Sequence, residues 1–195
     1  VGRLGEEAGG VTLGHRLERW ATGSLAEVFR ADSPLPLDRG LLVVGLADLS
    51  DPEVRSVAQL AALAVLWDAV RADLSPKLVV VDEAWKVMRQ PAGAEFIEEL
   101  ARSARHYHAG LQLATQDIVE FLRSDFGEAI VKQCDLRVLL GQTPEGADAL
   151  ARYFDLTPAE RRLLLHARPG EGLMFVGRSH VAFEAVVSRR EYALL

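Results

Sequence analysis

Short, unbroken runs of apolar residues recur along the chain, separated by longer segments with helical periodicity. Two such runs cover residues 41–47 and 77–81, the second beginning with Lys77. Two mixed segments, residues 111–116 and 136–140, are also predicted as strands. Runs of this length are too short for most helices, and continuous apolar character is typical of strands that are buried on both faces. We therefore predict two buried strands, at 41–47 and 77–81, and two further strands, at 111–116 and 136–140.

Helical patterns lie between these strands. Residues 52–72 are apolar almost all round, which predicts a helix deep in the domain. Residues 92–108 are amphipathic, and Gly110 is expected to end that helix. Residues 172–187 predict a β-hairpin that turns at 177–179. Because strands alternate with helices, we predict an α/β fold with a mainly parallel sheet, helices on its faces and a C-terminal β-hairpin.

Polar residues mark the starts of several further helices. Asp117 follows the third strand and can cap a helix there. Thr143 and Thr157 each precede a proline, the arrangement of a cap followed by proline in the first helical turn. Glu160 lies three residues after Thr157, so that a capping box is predicted at this helix start.

Composition and charge narrow the class of protein. The 195 residues suit one ordinary domain, and a single cysteine, Cys134, excludes an internal disulfide. With a net charge of −6, the whole chain is not a general electrostatic trap for nucleic acid. No apolar run approaches the ~20 residues that span a bilayer. The chain begins with Val1 rather than methionine, and we expect it to be a fragment of a longer protein.

Two adjacent carboxylates, Asp82 and Glu83, come directly after the buried run at 77–81. An aspartate at a strand end can hold Mg²⁺ through its water shell, and a neighbouring glutamate can orient water for attack on phosphorus. A hydrophobic run followed by Asp-Glu is the Walker B pattern of P-loop NTPases. The alternative is structural: Asp82 caps a helix and Glu83 stabilises its first turn.

Other polar residues extend the candidate site. Thr115 and Gln116 are the last residues of the next predicted strand, and the carboxyl ends of parallel strands share one edge of a sheet. They could sense a γ-phosphate or place the attacking water, although a simple turn explains them too. Arg102 and Arg105 could stabilise transferred phosphoryl charge across a subunit boundary. Alternatively, they belong to a solvated helix face, where Arg102 pairs with Glu98.

A Walker B element requires a phosphate-binding loop, G-x-x-x-x-G-K-[ST], and the chain has none. The nearest match is "GGVTLGHR" at 9–16, in which His15 and Arg16 replace the Lys-Ser/Thr pair and no hydrophobic strand precedes the glycines. We reject it as a phosphate cradle. The chain therefore carries the hydrolysis half of a nucleotide site without the half that grips phosphate.

Four segments together resemble a known family. They are "LERW" (17–20), "LVVVDEAWKVM" (78–88), "ARSARHYHAGLQLATQD" (101–117) and "GEGLMFVG" (170–177). In order and spacing they are similar to the C-terminal ATPase domain of the conjugative type IV secretion ATPases, the TraC/TrbE-like family within the HerA–FtsK superfamily. The resemblance implies a RecA-like P-loop NTPase core over residues 41–195. Residues 1–40 would be the tail of an inserted helical region and a connector, with a short helix over 12–20 and an extended stretch over 31–40.

The resemblance also implies roles for the site residues. Asp82 would hold Mg²⁺ through water, Glu83 would be catalytic, Gln116 with Thr115 would be the sensor, and Arg102 or Arg105 would be the arginine finger. The full-length protein would bind ATP and Mg²⁺, whereas the chain alone is not expected to bind them tightly. His106 departs from the lysine that often follows the arginine in this family.

The family implies partners and a location. The protein would be a homo-oligomer, either hexamer or dimer, on the cytoplasmic side of the bacterial inner membrane. It would assemble there with other secretion components and power pilus assembly and the transfer of DNA or protein cargo. Two alternatives remain open: a DNA-pumping translocase of the same superfamily, and a fragment that serves only as an interaction module.

Overall fold

The computed structural model describes residues 18, 20–23, 26, 40–46 and 48–193 of the chain. It divides into two compact units, residues 1–72 and 73–195, which are described separately. The predicted connector over 31–39 and most of the predicted helix over 12–20 lie outside the described residues. Among the described residues there is no helix with the length and hydropathy that a membrane span requires.

The first unit contains one long helix, α1 (Pro52–Ala72), with the bounds that the sequence predicts. Asp51 begins the helix, because its Oδ1 accepts hydrogen bonds from the backbone N–H groups of Glu53 and Val54. Leu63, Trp67 and Val70 are buried on one side of the helix, and Val54 is buried near its start. The prediction that this helix lies deep in the domain is wrong, since the apolar side chain of Val65 is 38% exposed.

Residues 41–46 form neither helix nor strand. The prediction of a buried strand over 41–47 is therefore wrong for the part that the structure describes, and residue 47 lies outside it. Leu41 and Val43 are 81% and 78% exposed. A strand is stabilised by hydrogen bonds to a neighbouring strand, and none of the described strands pairs with this segment.

The second unit carries all the described strands and seven further α-helices among its described residues. In chain order they are β1 (Lys77–Val81), α2 (Ala84–Met88), α3 (Pro91–Ser103), β2 (Ala109–Leu113), α4 (Ile118–Arg123), α5 (Gly127–Gln133), β3 (Leu136–Leu140), α6 (Pro144–Phe154), α7 (Pro158–His166), β4 (Glu171–Val176), β5 (Ser179–Glu184) and α8 (Arg189–Tyr192). A single 3₁₀ turn, Ala104–Tyr107, joins α3 to the region before β2.

The strands form two small sheets. β1 and β2 are parallel, as predicted, with Val81 opposite Leu113 at their carboxyl ends. β3 pairs antiparallel with β4, and β4 with β5, so that the predicted hairpin is confirmed. The expectation of a mainly parallel sheet holds only for β1 and β2. Two helices, α6 and α7, separate β3 from β4, and the chain returns to the sheet in the opposite direction.

Local signals placed most helix starts correctly. Asp117 accepts a hydrogen bond from the Glu120 backbone N–H, and Thr143 accepts one from Gly146. Thr157 and Glu160 form the predicted capping box. The helical segment that begins with α3 does not end at Gly110, which lies inside β2. It ends at His108, which takes the left-handed conformation (φ 53°) that usually favours glycine.

A hydrophobic core lies between α6, α7 and one face of the antiparallel sheet. Its members are Leu139, Leu150, Leu164, Leu173 and Phe175, and Leu164 is fully buried. Leu139 comes from β3, while its neighbours in that strand, Val138 and Leu140, are about half exposed on the other face. The sheet therefore has one face that is covered by helices and one apolar face that is exposed.

The capping box gives the C-terminal region a pH-dependent contribution to stability. Glu160 accepts hydrogen bonds of 2.8 Å from both the backbone N–H and the hydroxyl of Thr157, and it lies 2.5 Å from His180 Nε2 on the hairpin. These contacts, the Thr157 backbone bond first among them, hold the pKa of Glu160 below its ordinary value of 4.5. The stabilisation is therefore present above that pH and is lost as the pH falls below it.

Glu160→Gln is accordingly expected to lower the free energy of unfolding near neutral pH. The difference from wild type should narrow below about pH 4.5, where the wild-type carboxylate becomes protonated as well. Urea titrations at a series of pH values measure this difference. Glu145→Gln, in the first turn of α6, is the matched control. A Glu160→Gln difference that stays constant down to about pH 3 would contradict the assignment.

Candidate functional site

The candidate site lies at the carboxyl ends of β1 and β2. Backbone hydrogen bonds continue past both strands: Ala114 N–H donates to the Val81 carbonyl at 3.0 Å, and Ala84 N–H donates to the Ala114 carbonyl at 2.9 Å. These bonds hold the residues after β1 beside the residues after β2. The predicted convergence of the two strand ends is therefore present in the fold.

The backbone at Glu83 takes the left-handed conformation, with φ 51° and ψ 44°. This conformation costs a non-glycine residue roughly 1–2 kcal/mol, so that the surrounding contacts must hold it in place. Glu83 occupies the position before α2 without a capping side-chain bond, while Asp82 Oδ1 accepts from the Glu83 backbone N–H at 2.9 Å. The alternative in which Asp82 caps the helix is wrong, because its carboxylate engages the next residue instead.

The Glu83 carboxylate is held from two directions. Its Oε1 accepts a hydrogen bond of 2.6 Å from Gln116 Nε2, which comes from the end of β2. Its Oε2 accepts one of 2.6 Å from the indole Nε1 of Trp85, at the start of α2. A carboxylate accepts and cannot donate, so both partners present N–H groups to it. The structure thus brings together Glu83 and Gln116, two of the predicted site residues.

Trp85 is the site residue that sequence reasoning missed. It looks like a core or ridge residue in the sequence, yet it is only half-buried and contacts Glu83 through its polar edge. Lys86 and Arg89 lie over its ring, 5.5 and 5.9 Å from the ring centroid. The available signal was its place two residues after the glutamate, since a partly buried indole N–H usually has a hydrogen-bond partner.

Thr115 does not join this carboxylate cluster. Its hydroxyl donates to the Asp117 carbonyl at 3.4 Å, a local bond at the turn that leads into α4. The contact matches the turn alternative for Thr115. Of the two predicted sensor residues, Thr115 and Gln116, only Gln116 therefore contacts Glu83.

The two candidate arginines lie away from these contacts. Arg102 pairs with Glu98 one turn earlier on α3, and Arg105 pairs with Asp135 at 3.4 Å. Both guanidinium groups are largely exposed, at 70% and 90% of the side chain. Within the described part of the chain, no hydrogen bond or ion pair joins either arginine to Glu83 or Gln116. Exposed pairs of this kind contribute about 0.2–1 kcal/mol.

Comparison with known proteins identifies the family of the chain. Residues 40–168 match the family of the TraG P-loop domain. This chain belongs to that family. The match spans β1, β2 and the candidate site between them.

Two known proteins are similar to this TraG P-loop domain. The chain is 29% identical over 84 residues to the type IV secretion system protein CagE of Helicobacter pylori, an alignment that covers 43% of this chain and 8% of CagE. It also superposes on the structure of VirB4 of Thermoanaerobacter pseudethanolicus with a TM-score of 0.78 and 24% identity. That match covers 93% of this chain and 51% of VirB4, so that the chain spans about half of that structure.

The resemblance to the type IV secretion ATPases that the sequence indicates is therefore confirmed. The VirB4 superposition shows the fold: helices with a parallel sheet and an antiparallel hairpin. The family description refers to a P-loop, which raises the question of whether the residues of this TraG P-loop domain fit Mg²⁺ and nucleotide.

The donor set at Asp82 fits an outer-sphere role for Mg²⁺. In the part of the chain that the structure describes, no three His, Cys, Asp or Glu side chains cluster as a cage for a metal ion. Mg²⁺ does not require one, since it keeps several waters and is usually bound through one or two carboxylates and the phosphates of the substrate. Asp82 is exposed at the strand end, and its Oδ1 is oriented by the Glu83 N–H.

Proposed function

We propose that this chain is the hydrolysis half of an ATPase motor that powers type IV secretion, with conjugative transfer and pilus assembly as its output. The contact between Glu83 and Gln116 carries the proposal. It unites a carboxylate and an amide from two parallel strands at the edge where ligands bind in open α/β sheets. Membership of the TraG P-loop domain family supports the use of ATP.

Each site residue takes a role that its contacts support. Glu83 polarises the attacking water, and Gln116 holds the Glu83 carboxylate and responds to the γ-phosphate. Asp82 holds Mg²⁺ through its water shell, and the bound metal neutralises charge on the phosphates. Thr115 supports the turn behind Gln116 through the hydrogen bond from its hydroxyl to the Asp117 carbonyl.

The exposed arginines suit a role between subunits. A finger must reach the nucleotide of a neighbouring protomer, and the side chains of Arg102 and Arg105 are open to such a contact. The proposal therefore includes a homo-oligomer, hexamer or dimer, with a RecA-like core in each protomer. The phosphate-gripping loop would come from a part of the longer protein that precedes this chain.

The secretion relatives suggest where the motor works. CagE is a type IV secretion system protein, and we place this motor with the other secretion components at the cytoplasmic face of the inner membrane. The cargo would be DNA or protein. A DNA-pumping translocase is the second candidate, and the net charge of −6 counts mildly against it. DNA-stimulated hydrolysis with a steep salt dependence would favour that candidate.

The proposal is tested in the full-length protein with purified wild type and the Glu83→Gln variant. The wild type should hydrolyse ATP in the presence of Mg²⁺, whereas the variant should bind ATP and not turn it over. If both proteins lack Mg²⁺-dependent hydrolysis, the chain is an interaction module rather than half of a motor.

A further inference from the structure

The environment of Glu83 contains a donor to which neither the sequence nor the family match assigns a function. The indole of Trp85 and the amide of Gln116 donate to different oxygens of the same carboxylate, each at 2.6 Å. Gln116 comes from the end of β2, and Trp85 comes from α2, one residue beyond Ala84. The carboxylate is thus fixed between a strand end and a helix start.

We propose that Trp85 is a positioning residue that orients the Glu83 carboxylate for its work on water; the inference rests on the proposed function. A carboxylate offers about four lone-pair sites, two on each oxygen. One donor on each oxygen stops rotation about the Cγ–Cδ bond and leaves the remaining lone pairs in fixed directions. With Gln116 alone, the carboxylate would pivot about a single bond.

The surroundings of Trp85 explain how the donor itself stays in place. Lys86 and Arg89, both exposed, lie over its ring and hold the plane of the indole from the solvent side. The ring is half-buried and is not a member of the hydrophobic core of α6, α7 and the antiparallel sheet. Its polar edge is used in the bond to Glu83, and Trp85→Phe removes that N–H while it keeps an aromatic ring at this position.

The hydrogen bond can be tested in the 195-residue chain without nucleotide. The chain has three tryptophans, Trp20, Trp67 and Trp85, and each gives an indole N–H signal in a ¹H–¹⁵N spectrum. Trp85→Phe assigns the signal of interest. Glu83→Ala should shift that signal more than the other two indole signals, because a charged acceptor is lost. Asp82→Asn, which keeps the Glu83 carboxylate, is the control, and it should leave the Trp85 indole signal nearly unchanged.

The consequence for the reaction is tested in the full-length protein. Trp85→Phe should lower kcat about tenfold, the loss expected when a charge-assisted bond that aligns a catalytic group is removed. KM for ATP should stay within about twofold, since Trp85 does not touch the nucleotide in this scheme. Trp67→Phe, in α1 of the first unit, is the matched substitution and should leave kcat unchanged.

The outcomes separate this inference from the proposed function. If the chemical shift of the Trp85 indole N–H does not change in Glu83→Ala, the inference is overturned. This holds whether or not the full-length Trp85→Phe protein folds. An unchanged kcat for a folded Trp85→Phe protein overturns it too. If Glu83→Gln leaves hydrolysis intact while the indole signal still responds to Glu83, the proposed function is wrong and the hydrogen bond remains.

Discussion

Glu83→Gln is expected to lower ATP turnover by the full-length protein about 100-fold or more, because general-base assistance contributes roughly 10²–10⁴ in rate. Glutamine is nearly isosteric with glutamate, and its carbonyl oxygen can still accept the hydrogen bond from Trp85 that the structure places on Oε2. It cannot polarise water as a carboxylate does. ATP affinity should stay within about twofold, since the lost interaction matters only when the water attacks.

Glu99→Gln provides the matched control for this substitution. Glu99 is an exposed residue of α3, so Glu99→Gln removes the same negative charge at a position away from the strand ends. Single-turnover hydrolysis and equilibrium binding of ATP, measured on both variants, separate a defect in chemistry from a defect in affinity. Turnover of Glu83→Gln equal to that of Glu99→Gln would remove Glu83 from the mechanism.

Leu164→Ala is expected to destabilise the second unit by about 2–5 kcal/mol. Leu164 lies on α7 and is fully buried in the core that α6 and α7 form with the antiparallel sheet. Removal of its side chain takes apolar surface away from this core and leaves a cavity, and both effects favour unfolding. Chemical denaturation of the chain, followed by circular dichroism, gives the change in the free energy of unfolding.

Leu140→Ala makes the same chemical change at a side chain that is half exposed instead of buried. Leu140 lies on β3 with its side chain 48% exposed, next to the buried Leu139. Its loss should cost less than about 1 kcal/mol, because no closed cavity forms. Equal effects of the two substitutions would mean that the covered and exposed faces of this sheet are assigned wrongly.

Local signals in the sequence were sufficient for much of the fold. The capping box at Thr157 and Glu160 and the cap at Asp117 formed as predicted, because these interactions lie within four residues of chain. The β1 strand and the helix Pro52–Ala72 also formed with their predicted bounds. The burial of β1 on both faces, which its apolar run predicts, is wrong, because Leu78 and Val80 are 64% and 56% exposed.

Predictions that depended on distant partners succeeded less often. The apolar run at 41–46 has strand composition, but a strand also requires a neighbour, and composition does not specify one. The antiparallel pairing of β3 with β4 depends on the path of two intervening helices. The helical segment ends at the predicted residue, His108, but the left-handed backbone of this residue could not be foreseen, since glycine usually takes that conformation.

The candidate site was partly predictable for the same reason. Parallel strands bring their carboxyl ends to one edge, which was enough to place Gln116 beside Glu83. The role of Trp85 depends on the left-handed backbone at Glu83 and on the start of α2, neither of which has a signature in the residue order. The sequence places Trp85 two residues after Glu83, whereas the contact between its indole and the carboxylate is visible only in the structure.

In the proposed function, Glu83 and Gln116 work as one unit at the ends of two parallel strands. A double-mutant cycle on ATP turnover by the full-length protein tests it, with Glu83→Gln, Gln116→Ala and the double variant. Residues that act as a unit are strongly non-additive, so that Gln116→Ala should slow the wild type but have little further effect once Glu83 is glutamine. If Gln116→Ala slows both backgrounds by the same factor, the two side chains act independently and the account is contradicted.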